Sequence, residues 1–165
     1  MIESGGGPPL LAENKNAWKD YYKFAFVRNP FDFLVSLFYW IRMNTGHDMC
    51  DYLNSMTFND FLRIIETPEL QPDTFIHGHA RTFRRPLSMF VQDEHGQCIL
   101  DYVGNLETID RQFQEICDIL SIPNTLGRYN KSIRPKKYRD CYTKEGRAIV
   151  EKVFQRDFEV VGYEF

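Results

Sequence analysis

Residues 24–40 read FAFVRNPFDFLVSLFYW. A short aromatic and apolar run, Tyr21–Val27, ends at Arg28; Asn29 and Pro30 then open a longer apolar run. The first run is too short for a helix and has the composition of a buried strand. Asn29 can cap a helix, Pro30 suits the first helical position, and Asp32 falls near the third. These signals predict a helix to about Met43, apolar almost all round and therefore buried on most faces. Strand, polar turn and buried helix form an α/β signature. In open α/β sheets ligands bind at the carboxyl ends of strands, where Arg28 stands.

Arg28 and Ser36 are the two polar residues that a core segment has no use for. A guanidinium forks onto phosphate oxygens with several donors at once. Ser36 shares a helical stripe with Asn29 and lies roughly 10 Å along the axis from it. The dipole fades within the first turn, so Ser36 would act on an anion through its hydroxyl. On the residues alone a structural role is also open: Arg28 paired with Asp32, and Ser36 bonded back to the carbonyl of Asp32.

The rest of the chain fits one domain over residues 1–165, with 1–17 irregular and rich in Gly and Pro. Fourteen Phe, nine Tyr and a net charge of −3 point to a packed globular protein and away from a general nucleic-acid binder. Residues 44–54 read as loop. Thr57 caps a helix over Phe58–Ile65. Ser88–Val91 and Cys98–Val103 read as strands joined by a turn at Asp93–Gly96. Leu106, Ile109, Phe113, Ile116, Cys117 and Leu120 recur at helical spacing. Residues 128–139 make a basic loop, and Thr143 caps a last helix. Four cysteines without C-x-x-C spacing predict buried, reduced thiols and no metal site. No apolar stretch reaches transmembrane length, and the N-terminus lacks the pattern of a signal peptide. As written the chain reads as cytoplasmic; it would belong to the Golgi lumen if it were a fragment of a membrane-anchored enzyme.

The segment FVRNPFDFLVS resembles the 3′-phosphate-binding segment of sulfotransferases that use 3′-phosphoadenosine-5′-phosphosulfate (PAPS). In that family an Arg and a Ser eight residues apart hold the 3′-phosphate, the spacing of Arg28 and Ser36. Residues 98–120 are similar to the family's D-x-[VI]-G-[RK]-x-E-x-[LI] strand and helix, with Asp101, Gly104 and Glu107 matching and Asn105 where a basic residue is usual. Tyr129–Ser132 (YNKS) resembles the Asn-x-Ser loop of the carbohydrate branch, and the terminus resembles that branch's Y-T-x-E…DF…GY ending. The resemblance covers about residues 18–165.

It implies a P-loop-NTPase-like α/β fold with a parallel sheet flanked by helices. It implies transfer of a sulfuryl group from PAPS to a hydroxyl, on a carbohydrate, without a metal. Arg28, Ser36, Asn130, Lys131 and Ser132 would bind the nucleotide. His79 would be the catalytic base, with His77, His47, Glu66 and Glu69 behind it. Arg81, Arg84 and Arg85 could meet an anionic acceptor, and the basic face of Lys131, Arg134, Lys136 and Lys137 could be a lid on the nucleotide phosphates, a cradle for an acidic glycan, or a solvated basic loop. One departure stands against this. The family opens on a phosphosulfate loop, P-K-x-G-[TS]-[ST], and the Gly-rich Ser4–Pro9 has no Lys or Ser/Thr after its glycines. A truncated or divergent member is therefore expected, and the alternative is an inactive domain that binds adenosine 3′,5′-bisphosphate (PAP) or a partner and transfers nothing.

Overall fold

The computed structural model describes residues 17–67, 82–127, 129 and 132–165. The Gly-rich Ser4–Pro9, His77, His79, Glu69, Arg81, Asn130 and Lys131 lie outside the described residues.

After one helical turn, α1 (Ala17–Asp20), the chain enters β1 (Phe24–Val27), and Arg28 and Asn29 lead into α2 (Pro30–Met43). The strand is shorter than the run Tyr21–Val27 predicts, because pairing starts only at Phe24. β1 lies parallel to β2 (Tyr102–Asn105), in the register Phe24↔Tyr102 to Val27↔Asn105. The crossover between them contains α2, α3 (Cys50–Asn54), α4 (Phe58–Glu66) and α5 (Ser88–Val91). After β2 a 3-10 turn, Leu106–Thr108, leads into α6 (Ile109–Leu120). A second 3-10 turn, Tyr138–Cys141, precedes α7 (Lys144–Val153) and α8 (Gln155–Val161). Mixed helices and a parallel strand pair agree with the α/β expectation.

α2 forms where its capping residues place it. The Asn29 side chain accepts the Phe31 amide at 3.0 Å and Pro30 occupies the first turn. Its buried face carries Phe31, Leu34, Val35, Phe38 and Ile41. α4 starts on a capping box, with Thr57 and Asp60 satisfying each other's amides. It packs Phe61, Leu62 and Ile65 against α2, and against Ile149, Val150 and Phe154 from the C-terminal helices. α7 approaches closely through Gly146, where a Cβ would stand 2.9 Å from both Asn59 Oδ1 and Leu62 Cδ1. Around Phe31 the aromatic rings of Tyr142, Phe158 and Phe165 stand with centroids 5.2, 5.2 and 4.8 Å away.

Four local expectations are corrected. Ser88–Val91 is a helical turn: the Met89 and Phe90 amides donate to Pro86 and Leu87, and the Leu87 amide is taken by Asp157. Four residues, three of them apolar, carry too little periodicity to separate strand from turn. Cys98 makes only an isolated antiparallel bridge to Gln92, and the strand begins at Tyr102. The turn Asp93–Gly96 is present, with Gly96 at φ +78. The stretch 44–54, read as loop, contains α3, which Met49 and Leu53 tie into the core. Of the four thiols, Cys50 and Cys117 are buried, Cys141 is half-buried and Cys98 is exposed; all are free.

Candidate functional site

The turn that carries Arg28 is fastened from two distant directions. The Asn29 amide donates to Glu107 Oε1 at 3.0 Å, and the Asn29 side-chain amide donates to the Glu164 carbonyl at 2.9 Å. The Tyr163 hydroxyl lies 2.7 Å from Glu107 Oε2, 3.0 Å from Asn105 Oδ1 and 3.3 Å from the Val27 carbonyl. Burial, and then the Glu107 carboxylate, push the Tyr163 phenol far above its usual range, so it stays protonated and able to donate. Glu107 and the Tyr163–Glu164 tail thus fix the ends of both strands and the first turn of α2. Asn105 joins the same clamp.

Arg28 and Ser36 face one cleft of about 170 Å³, shared with Phe33, Leu37 and Trp40. The expected juxtaposition of guanidinium and hydroxyl is therefore present. The alternative pairing of Arg28 is present too: Nε donates to Asp32 Oδ2 at 2.7 Å and Nη2 lies 2.5 Å from the same oxygen. These contacts use one edge of the guanidinium. A guanidinium has five N–H donors, so the other edge keeps donors for a ligand. Ser36 does not need its own helix for a partner, because its Oγ lies 2.9 Å from Ser132 Oγ. Two residues expected to bind the same nucleotide, 96 positions apart, meet here.

Asp32 does more than the sequence suggests. Its Oδ1 accepts from Arg134 Nη1 while Oδ2 holds Arg28, so one carboxylate ties the basic loop to the strand end. On the far side of this bridge Arg134, Lys136, Lys137 and Arg139 line a cleft of about 530 Å³ with Asp32, Ser132 and Tyr138. The loop 132–139 accordingly flanks the Arg28–Ser36 cleft and presents cations beside it.

The other candidates fall as follows. Among the described histidines, His47 makes an edge contact with Trp40, centroids 5.7 Å apart, so it neighbours the wall of the cleft. Its Nδ1 accepts the Met49 amide at 3.1 Å. Glu66 pairs with Lys152 at 2.8 Å on α7 and joins none of the clefts described here. Asp101 accepts the Lys23 amide and ammonium at 2.7 and 2.8 Å, which anchors the entry to β1. Trp40 and Phe33 were not singled out from the sequence. The signal was available: residues 33, 36, 37 and 40 follow the i, i+3, i+4, i+7 stripe that contains Ser36. Among the described residues no group of three or more His, Cys, Asp or Glu side chains could hold a metal, and no helix is long and apolar enough to cross a membrane.

Compared with known protein families, residues 9–164 match the model of the sulfotransferase family. The match spans nearly the whole chain, and the protein belongs to that family. Sulfuryl transfer is the family's general chemistry. No curated protein and no solved structure matches the chain significantly.

Proposed function

We propose that this protein moves a sulfuryl group from PAPS to a hydroxyl of a carbohydrate, on a P-loop-NTPase-like scaffold. The observation that carries the reading is the convergence of Arg28, Ser36 and Ser132 at the carboxyl end of β1. A guanidinium edge and two hydroxyls suit a phosphate dianion, since charge-assisted donors to an anion are the strongest hydrogen bonds available. The carbohydrate acceptor is supported by the resemblance of Tyr129–Ser132 and of the C-terminal segment to the carbohydrate branch.

PAPS supplies an activated sulfuryl group whose S–O bond to the 5′-phosphate breaks as the acceptor oxygen bonds to sulfur, leaving PAP. The chain's own part is binding and orientation. Arg28 and Ser36 hold the 3′-phosphate, and Ser132, with Asn130 and Lys131, closes over it. Glu107 and Tyr163 hold the turn that aims Arg28. The acceptor hydroxyl must lose a proton, and His79 is assigned that role because a neutral imidazole accepts one near pH 7.

Calorimetry with PAP tests the binding. Arg28→Ala is expected to weaken it by about 2 kcal/mol, the scale of a lost charge-assisted contact. Unchanged affinity would overturn the phosphate assignment. A transfer assay with labelled PAPS on a mixed glycan set tests the chemistry; binding of PAP without any labelled glycan would leave a nucleotide-binding domain in place of an enzyme.

A further inference from the structure

A second crevice, of about 400 Å³, shares Arg28 and Phe33 with the cleft described above. It lies where β1 and β2 end: Phe26 and Leu106 line it, together with Phe83, Phe90 and Arg85. Its volume lies within the range of small-molecule sites. The walls are mainly apolar, with several aromatic rings, and cations enter from two separate elements, Arg28 after β1 and Arg85 before α5. Apolar walls with separated cations match a ligand in which an uncharged ring system is joined to two anionic groups.

The two guanidiniums differ in their surroundings. Arg28 commits one edge to Asp32. Among the described residues no carboxylate pairs with the Arg85 guanidinium, which is exposed. The backbone holds its place: the Arg85 amide closes a turn on the Thr82 carbonyl at 3.2 Å. Two residues on, the Leu87 amide donates to the buried Asp157 at 2.7 Å. Asp157 also lines the crevice, and Thr82 completes the polar part of its wall.

We infer that Arg85 is a second anion-binding residue, which receives the 5′-phosphate end of a nucleoside 3′,5′-bisphosphate whose 3′-phosphate sits at Arg28 and Ser36. The ribose separates the two phosphates, and the base it carries packs against Phe26, Phe33, Phe83 and Phe90. This rests on the functional reading above and adds to it the residue that holds the other end of the nucleotide. Arg85 would then stand where charge develops on the leaving phosphate, a position in which a cation favours transfer.

The experiment uses the full chain, the exposed substitution Arg85→Gln, and three probes measured by calorimetry: PAP, adenosine 3′-phosphate and adenosine 5′-phosphate. Arg85→Gln is expected to weaken PAP and adenosine 5′-phosphate at least about tenfold and to leave adenosine 3′-phosphate unchanged. Arg28→Ala is expected to show the reverse selectivity between the two monophosphates. Equal loss for all three probes with Arg85→Gln, or no loss for any, overturns the assignment of Arg85 and leaves that of Arg28 standing. A wild-type chain that binds none of the three overturns the nucleotide reading, and this inference with it.

Discussion

Replacing Asp32 by Asn removes the charge that holds two guanidiniums while keeping the size of the side chain. The carboxylate is 15% exposed, Arg28 23% and Arg134 29%, so all three groups are mostly withdrawn from water. Breaking a fully buried pair costs about 3–5 kcal/mol, and an exposed pair contributes about 0–1 kcal/mol. At this intermediate exposure the loss is set at about 2–3 kcal/mol, mostly from two cations left facing each other without a counter-charge. For a domain of this size that lowers the melting temperature by about 5–10 °C. The nucleotide should reverse part of the defect. A phosphate dianion at Arg28 and Ser36 restores negative charge beside the same guanidiniums, and a ligand that binds only the folded state stabilises it by mass action. Thermal denaturation of wild type and Asp32→Asn, each with and without PAP, measures both effects. PAP is expected to raise the melting temperature of the variant by more than that of wild type. A variant as stable as wild type would show that the carboxylate bridge holds nothing. A smaller rise with PAP would show that phosphate and carboxylate do not address the same cations.

Gly104→Ala is expected to destabilise the protein by about 1–3 kcal/mol in urea denaturation, as overpacking does. A Cβ there would stand 2.5 Å from Phe26 Cε1 and 3.0 Å from Tyr102 Cε1, so the Phe26 ring must move. Because Phe26 also lines the aromatic crevice, PAP affinity should fall in the same variant. Asp101 governs part of the acid response. Its hydrogen bond to Lys23 holds its carboxyl below the usual range, so the associated stability is fully present above the ordinary carboxylate pKa of about 4. That stability is lost as pH falls through the depressed value. Urea midpoints between neutral and strongly acid pH should therefore fall less steeply for Asp101→Asn than for wild type; parallel curves would remove Asp101 from that role.

What the sequence determined by itself is local. Asn29, Pro30 and Asp32 place the start of α2, and Thr57 and Thr143 place the starts of α4 and α7, because a cap is satisfied within one turn of its own residue. The seven-residue spacing of Asn29 and Ser36 sets those two on one helical stripe, and the pairing of Arg28 with Ser36 is what the family resemblance implies. Where local signals were weak the sequence misled: Ser88–Val91 has the composition of a strand but forms a helical turn, beside which the Leu87 amide donates to Asp157, 70 residues away. The tertiary structure alone decided which groups meet. Ser36 reaches Ser132 across 96 positions, Asp32 reaches Arg134 across 102, and Asn29 reaches Glu107 across 78. Such pairings depend on how the crossover and the C-terminal helices pack around α2, and no pattern confined to one turn records them.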